Sequence, residues 1–293
     1  MNLRKQKTAV LRVTALLALL MRPGTALATS PSDVQAMLST LFCYAMPTNP
    51  LRKGQKEIKL VPTYLVGDNP RSAPPGGAKA DPYQVRNENV SGMGWAGVFV
   101  WGFSEHLGIS VLGAGMSESG TIDSEFSSPY PSDRNSFRKG KHTGSGYVGA
   151  ASFIYDPFDG EGFRLPLMLG LSMNSYSGEV KAKNASGEPL GEKGSNQAPG
   201  ILFGVTPQFN LGGFRAAPFL IVSMFGDNTA STQTKYLSST GPATKVQRSI
   251  KSDTVGSVGI DLTYRPWGLG FSYIPDFSGV TAYTFKWVKK WGR

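Results

Sequence analysis

From residue 57 onward, apolar and polar positions alternate along the chain with a period of two. The segment FRLPLMLGLSMNS, residues 163–175, shows this clearly: every second position from Phe163 to Met173 is apolar, and Arg164, Ser172 and Asn174 lie between them. Successive side chains of a β-strand point to opposite faces, so this period predicts strands with one apolar face. Ten such strands are predicted, at 57–66, 92–104, 107–117, 144–156, 163–175, 199–210, 214–226, 254–264, 267–274 and 280–290.

The connections between the predicted strands alternate between long and short. The long ones, 67–91, 118–143, 176–198 and 227–253, are polar and follow the first, third, fifth and seventh strands. Transmembrane β-barrels place short turns on the periplasmic side and long loops outside, whereas a soluble sandwich has no reason to separate them. Strands of about ten residues also match a tilted membrane crossing. The pattern therefore predicts an all-β, antiparallel transmembrane β-barrel of about ten strands over residues 57–293; eight or twelve strands also fit.

The stretch GMGWAGVFVWGF, residues 92–103, is an aggregation hazard as a strand in water, because Trp95, Phe99, Trp101 and Phe103 share one face. Facing lipid, the same side chains lie in a favourable environment, and aromatic girdles mark the two membrane interfaces of such barrels. The residues predicted at the membrane interfaces are Trp95, Trp101, Phe103, Phe163, Phe209, Phe214, Tyr264, Trp267 and Trp287.

Residues 1–28 have the three parts of a secretory signal peptide. Basic residues precede the apolar run VTALLALLM (13–21), and Ala26, Leu27 and Ala28 form the small-x-small pattern of a cleavage site. The run is too short for a membrane-spanning helix, which needs about 20 apolar residues. We therefore expect export through a cleaved signal peptide.

A helix is predicted over residues 30–46, within an N-terminal segment and linker that spans 29–56. Ser30 can cap this helix, Pro31 suits its first turn, and apolar residues recur at helical period. Two placements fit the pattern: a helix packed on the surface or at the membrane edge, or a helix that enters and blocks the barrel lumen. The surface placement is the expectation.

The overall charge gives little support to nucleic-acid binding. The chain has 30 Lys and Arg residues against 20 Asp and Glu, but five of the basic residues lie in the leader, so the net charge falls from +10 to +5 in the mature chain. We expect no nucleic-acid partner. The single cysteine, Cys43, excludes an intrachain disulfide and a cysteine-based zinc cluster. The acidic turn DPFDGEG (156–162) lacks the order of a calcium loop, so neither a metal nor another cofactor is expected.

Together these features resemble those of bacterial outer-membrane β-barrel proteins. The resemblance covers roughly residues 57–291 and rests on strand pattern, aromatic rims and loop lengths, not on a family motif. It implies a location in the bacterial outer membrane and contacts with outer-membrane lipid, lipopolysaccharide and the barrel-assembly machinery. The chain departs from the class in ending KWVKKWGR, without a terminal aromatic residue. It also has prolines within predicted strands, namely Pro62, Pro166, Pro207 and Pro218.

The interior of a ten-stranded barrel is narrow, so charges inside it need partners or water. The alternation points five charged side chains inward, namely Lys59, Arg164, Arg215, Asp261 and Lys286. The seventh and eighth strands are neighbours, which predicts an ion pair between Arg215 and Asp261. Such a pair holds the wall together or lines a polar path.

Some small outer-membrane barrels are lipid-modifying enzymes that hold a histidine and a serine near the outer leaflet. His142 and Ser145, at the outer end of the fourth strand, are the weak catalytic candidates here; their opposite parity counts against a nucleophile–base pair. His106 lies in a short turn and is expected to be solvated. The favoured function is therefore a structural, adhesive or narrow transport role in the outer membrane. A lipid-modifying hydrolase or acyltransferase is the alternative.

Overall fold

The structure, a computed structural model, describes residues 41–49, 51–71, 83–126, 139–158, 160, 162–183, 189–226, 228–236, 244–250, 253–275 and 280–292. The signal peptide predicted over 1–28 lies outside these residues, and so do positions 30–40 of the predicted helix. Both stay predictions. The described end of that helix, Leu41–Ala45, is a 3-10 helix.

The described residues form fourteen β-strands. In chain order they are β1 (Lys56–Arg71), β2 (Tyr83–Gly102), β3 (Leu107–Phe126), β4 (Lys139–Tyr155), β5 (Phe163–Arg164), β6 (Leu167–Lys183), β7 (Pro189–Val205), β8 (Gln208–Leu211), β9 (Phe214–Phe225), β10 (Asn228–Tyr236), β11 (Thr244–Ile250), β12 (Asp253–Tyr264), β13 (Leu269–Pro275) and β14 (Val280–Trp291).

Ten of the described strands close into an antiparallel barrel, which confirms the predicted fold class. Around the wall the order is β1, β2, β3, β4, β6, β7, β9, β12, β13 and β14. The last strand pairs with the first, from Lys56 opposite Trp291 to Gly67 opposite Val280. A closed wall leaves no unpaired strand edge, which is the condition for a sheet to lie in hydrocarbon.

The two faces of the wall differ as the alternation predicts. On β6 the outward side chains of Leu169, Leu171 and Met173 are 59%, 67% and 55% exposed, whereas the inward Met168 and Asn174 are buried. Large apolar side chains so exposed are stable only when something other than water covers them. Among the described residues, no helix is both long enough and apolar enough to cross a membrane.

Several strands are longer than predicted, and this corrects the view of the long connections as loops. β2 begins at Tyr83 and β3 ends at Phe126, and a further hairpin, β10–β11, lies within the connection 227–253. The outward positions there are small and polar, such as Ser117 and Ser119, so the apolar alternation stops while the strand continues. Strand pairing continues through backbone hydrogen bonds, which do not depend on apolar side chains.

Three of the four prolines within predicted strands mark breaks in the pairing, whereas Pro218 lies inside the continuous β9, opposite Ile260. The predicted strand 163–175 is divided at Pro166 into β5 and β6, and the predicted strand 199–210 is divided at Pro207 into β7 and β8. At Pro62 the strand is continuous, but pairing with β14 is interrupted there without a change of register. Proline has no N–H group to donate, so it is tolerated where a ladder hydrogen bond is absent.

Candidate functional site: a filled and charged lumen

The N-terminal residues 41–49, here called the plug, lie inside the barrel. The 3-10 helix contacts β2 and β3 on one side of the wall and β9 on the other. Leu41, Phe42 and Met46 are at most 3% exposed and belong to the same apolar cluster as the inward Val61 and Leu112. Contact with opposite walls is geometrically incompatible with a position outside the barrel.

This position shows that the expected surface placement of the N-terminal helix is wrong for residues 41–46. The physical reason lies in the wall, because inward cations need acceptors and the plug supplies them through its backbone carbonyls. Lys59 Nζ donates to the carbonyl oxygens of Tyr44, at 2.7 Å, and of Met46. The pattern of apolar residues in the plug alone carries no information about these acceptors.

Two further wall residues bind the backbone of the plug. Gln208 Nε2 donates to Pro47 O at 2.7 Å, and Arg215 Nη1 donates to Thr48 O at 2.8 Å. All of these groups are buried, so the hydrogen bonds satisfy carbonyls that have no access to water.

Glu57 is the acidic wall residue that binds the plug, through its carboxylate. Its Oε1 accepts a hydrogen bond from Thr48 N at 2.8 Å, and its Oε2 accepts from Asn49 N at 3.1 Å and Asn49 Nδ2 at 3.0 Å. The same carboxylate lies 3.1 Å from Lys59 Nζ. Glu57 is absent from the predicted set of lumen charges, although its odd position in β1, two residues before Lys59, could have revealed it.

Asp261 is the centre of the charged cluster. Its carboxylate accepts hydrogen bonds at 2.5 Å from Arg215 Nη2, at 2.5 Å from Lys286 Nζ and at 2.7 Å from Ser272 Oγ. The ion pair predicted between Arg215 and Asp261 is thus present, and Lys286 joins it. Because each of these charges is buried, each depends on the others for compensation.

Arg164, the fifth predicted lumen charge, lies apart from Asp261. It forms an ion pair with Asp156, and its Nη1 is 3.4 Å from Gln208 Oε1. The sequence places Asp156 in a turn, which gives no indication of its buried position beside Arg164. Gln208 links this pair to the plug through Pro47.

Little room is left where the plug meets the charged cluster. The space bounded by Cys43, Met46, Lys59, Arg215 and Asp261 is about 10 Å³. A single water needs roughly 10–15 Å³ measured in this way, so this space holds at most about one water molecule.

Cys43 lies in the plug as a free, buried thiol. Burial raises the pKa of the Cys43 thiol, because the charged thiolate loses its hydration. The thiol form is a poor nucleophile, so Cys43 serves the plug as an apolar side chain.

The predicted interface aromatics divide into two groups. Trp95 is separate, 59% exposed on the outward face of β2 and farther along the strand from the short turns. The others lie towards the short-turn end, where the rings of Phe214 and Tyr264 are 4.9 Å apart and those of Tyr264 and Trp267 are 5.3 Å apart. That group consists of Trp101, Phe103, Phe163, Phe209, Phe214, Tyr264, Trp267 and Trp287.

The weak catalytic candidates are not brought together with an activating group in the described residues. Ser145 is half-buried at an outward position of β4; the backbone of His142 lies in the same strand, opposite Gly120 and Val180, and its side chain is outside the described part. His106 lies in the short turn, with Nδ1 2.9 Å from Asp156 O. Among the described residues, no cluster of His, Cys, Asp and Glu could hold a metal ion.

Comparison with known proteins gives matches by structure only. No family model matches the sequence, and no curated protein matches it. The structure is similar to the outer membrane protease OmpT from Escherichia coli, with 14% identity and a TM-score of 0.49 over 82% of this chain and 96% of that one. It is also similar to the outer membrane protein OprG from Pseudomonas aeruginosa, with 12% identity and a TM-score of 0.43 over 83% and 98% of the two chains.

A third similar structure is the transport unit of the autotransporter AIDA-I from Escherichia coli, with 12% identity and a TM-score of 0.41 over 89% of this chain and 97% of that one. The molecule's own features decide its class. A closed antiparallel wall and an apolar outward face make this chain a β-barrel of the bacterial outer-membrane type.

Proposed function

We propose that this protein is a closed outer-membrane barrel with a structural or adhesive role, which anchors an extended sheet and long connections at the cell surface. The filled lumen carries this proposal. The plug occupies the barrel, and the space beside the charged cluster is about 10 Å³. An open channel needs a continuous column of water, and the plug interrupts it.

The length of the strands supports the adhesive part of the proposal. β2 and β3 each have 20 residues, whereas a tilted strand needs only about 9–11 to cross the membrane. The remainder forms a paired sheet beyond the apolar band, with hydroxyl and charged side chains on its outward face. Paired strands form a stiffer and larger binding surface than loops of the same length.

A narrow transport role makes a different prediction, because it requires a conducting state. The distinguishing experiment is single-channel recording on the refolded barrel in planar bilayers, with folding checked by heat-modifiable gel migration. We expect no steady conductance from the wild-type protein. A quadruple variant with Leu41, Phe42, Tyr44 and Met46 each replaced by Ser should conduct, because the plug then loses its apolar packing in the lumen.

The matched control changes the same segment without touching its packing. Arg52 and Lys53 follow the plug and are exposed, so R52S/K53S should stay closed like the wild type. A steady conductance from the wild-type barrel would contradict the proposal. The absence of conductance from the quadruple variant would show that the wall itself, and not the plug, closes the lumen.

A further inference from the structure

The sheet beyond the apolar band ends in an unpaired strand. β7 pairs with β9 and then with β10, and these two strands pair in turn with β12 and β11, so β10 and β11 extend the barrel wall as a hairpin. Among the described residues, β11 pairs with β10 alone. The N–H and C=O groups on the other side of β11 therefore form a strand edge. Such an edge is a template for pairing with another extended chain.

The edge exists because two strands of the wall are short. β13 ends at Pro275, and β14 begins at Val280, whose partner on β1 is Gly67. β1 continues beyond that level to Arg71, where its pairing within the described ranges is with β2 only. The extended part of the wall is thus open between β11 and the end of β1, across the width of two strands, which is roughly 10 Å. An added strand has room in this opening.

The two edges of this opening differ in how well they can accept a strand. The β1 edge consists of residues 69–71 and includes Pro70, which has no N–H group to donate. Short length and proline are the usual protections of a sheet edge. β11 has 7 residues, Thr244–Ile250, and none of them is proline. The β11 edge is therefore the side of the opening on which a strand can be added.

The sequence of the hairpin sets the charge that a partner needs. β10 contains Lys235, and β11 contains Lys245 and Arg248, whereas neither strand contains Asp or Glu. Opposite charges at facing positions of neighbouring strands stabilise a sheet, and like charges destabilise it. A second copy of the same edge would bring only cations together, so the charge of β11 opposes self-association. An acidic strand is favoured instead.

We infer that β11 is a docking edge for an acidic, extended segment of a partner protein, which adds to the sheet as a further strand. The backbone of β11 supplies hydrogen bonds on alternate residues, and the charges at positions 245 and 248 select the acidic sequence. Because these positions are three apart, the partner segment needs two acidic residues with the same spacing. The inference rests on the proposed adhesive role of the extended sheet and names the chemistry of its partner.

The test measures peptide binding to the barrel refolded in detergent, by fluorescence anisotropy. The probe is a labelled peptide of valine and threonine with two glutamates three positions apart. We expect this peptide to bind, and the same peptide with lysines in place of the glutamates to bind about tenfold more weakly or less. A third peptide keeps the glutamates but is methylated on its central backbone nitrogens. It cannot donate hydrogen bonds to β11, so it should also bind about tenfold more weakly or less.

A charge variant of the barrel tests the selection of an acidic partner. K245A/R248A should weaken binding of the acidic peptide about five- to tenfold, because both cross-strand charge pairs are lost. K289A/K290A removes two exposed lysines at the short-turn end of β14. It is the matched control and should bind as the wild type does.

Proline variants test the strand edge independently of charge. Neighbouring residues of a strand direct their N–H groups to opposite sides, so one of Val246→Pro and Gln247→Pro removes a donor from the free edge and spares the pairing with β10. At least one of the two should abolish peptide binding in a barrel that still folds, as checked by heat-modifiable gel migration. Val246→Thr keeps the donor and should bind as the wild type does.

Equal binding of the three peptides by the wild type would overturn the inference, and so would binding that K245A/R248A and both proline variants leave unchanged. Dimers of the barrel that K245A/R248A strengthens would assign the edge to a second copy instead. Because peptide binding is measured in detergent, a conducting lumen in the channel recordings would contradict the proposed closure and leave this result as it is.

Discussion

Asp261 is the carboxylate that compensates two buried cations in the lumen. It accepts hydrogen bonds from Arg215, Lys286 and Ser272, and Arg215 in turn binds the plug. Buried cations of this kind are stable only with their counter-charge, because the barrel interior near them has almost no space for water.

Replacing Asp261 by Asn should therefore destabilise the barrel. The variant keeps the size of the side chain but leaves Arg215 and Lys286 buried without their negative partner, at a cost of about 3–5 kcal/mol in the free energy of unfolding. Urea unfolding of the barrel refolded in lipid vesicles measures this. Glu105→Gln, which removes an exposed carboxylate from a short turn, should change the free energy by less than about 0.5 kcal/mol. Equal stability of D261N and wild type would mean that the buried charges around Asp261 do not stabilise the barrel.

The inward charges were accessible to sequence reasoning because strand parity fixes the face of a residue. Lys59 and Lys286 follow from the period of two, and Glu57 has the same parity as Lys59. Asp156 could not be found in this way, because it lies in a turn where parity has no meaning. Its partner Arg164 shows only that some acceptor had to be near.

At the scale of elements, the strands were predictable and the plug was not. A strand in a barrel wall carries its own signal, since lipid and lumen impose opposite polarity on alternate residues. The plug carries no such signal: an apolar stretch looks the same whether it packs on the surface or in the lumen. Its place is decided by contacts with distant residues, such as Gln208 and Arg215.

The sole cysteine gives a direct test of the plug. Cys43 should not react with a maleimide while the barrel is folded, because the thiol is 8% exposed and enclosed by the wall. It should react fully after unfolding in denaturant. The control is Arg52→Cys in a Cys43→Ser background, which places a thiol at an exposed position and should be labelled at once. Rapid labelling of Cys43 in the folded barrel would place the plug outside the lumen.

At the scale of the whole molecule, the outward face determines where the barrel can exist. The apolar side chains of neighbouring strands form a continuous band, and towards the long connections this band gives way to hydroxyls. The sequence predicted the band from its alternation. It could not give the full height of the sheet, because outside the membrane both faces are polar and the period disappears, as at Ser117 and Ser119 on β3.

The apolar band can be tested by introducing a lysine at two heights on the outward face, one inside the band and one near its polar rim. Leu171→Lys, in the band, should destabilise the barrel in lipid vesicles by about 2–4 kcal/mol, because the ammonium group must enter hydrocarbon. Gln197→Lys is also outward and exposed but near the polar rim, and should cost about 1 kcal/mol or less. Urea unfolding again measures both. A soluble protein would tolerate both lysines equally, since both positions would face water.

The wall binds the plug through main-chain oxygens of Tyr44, Met46, Pro47 and Thr48. Carbonyl oxygens are common to all residues, so these hydrogen bonds depend on the path of the backbone and not on the side chains that it carries. The apolar side chains of Tyr44 and Met46 add their own packing against the wall. Replacement of Lys59, Gln208 or Arg215 should therefore loosen the plug even where every residue of the plug is unchanged.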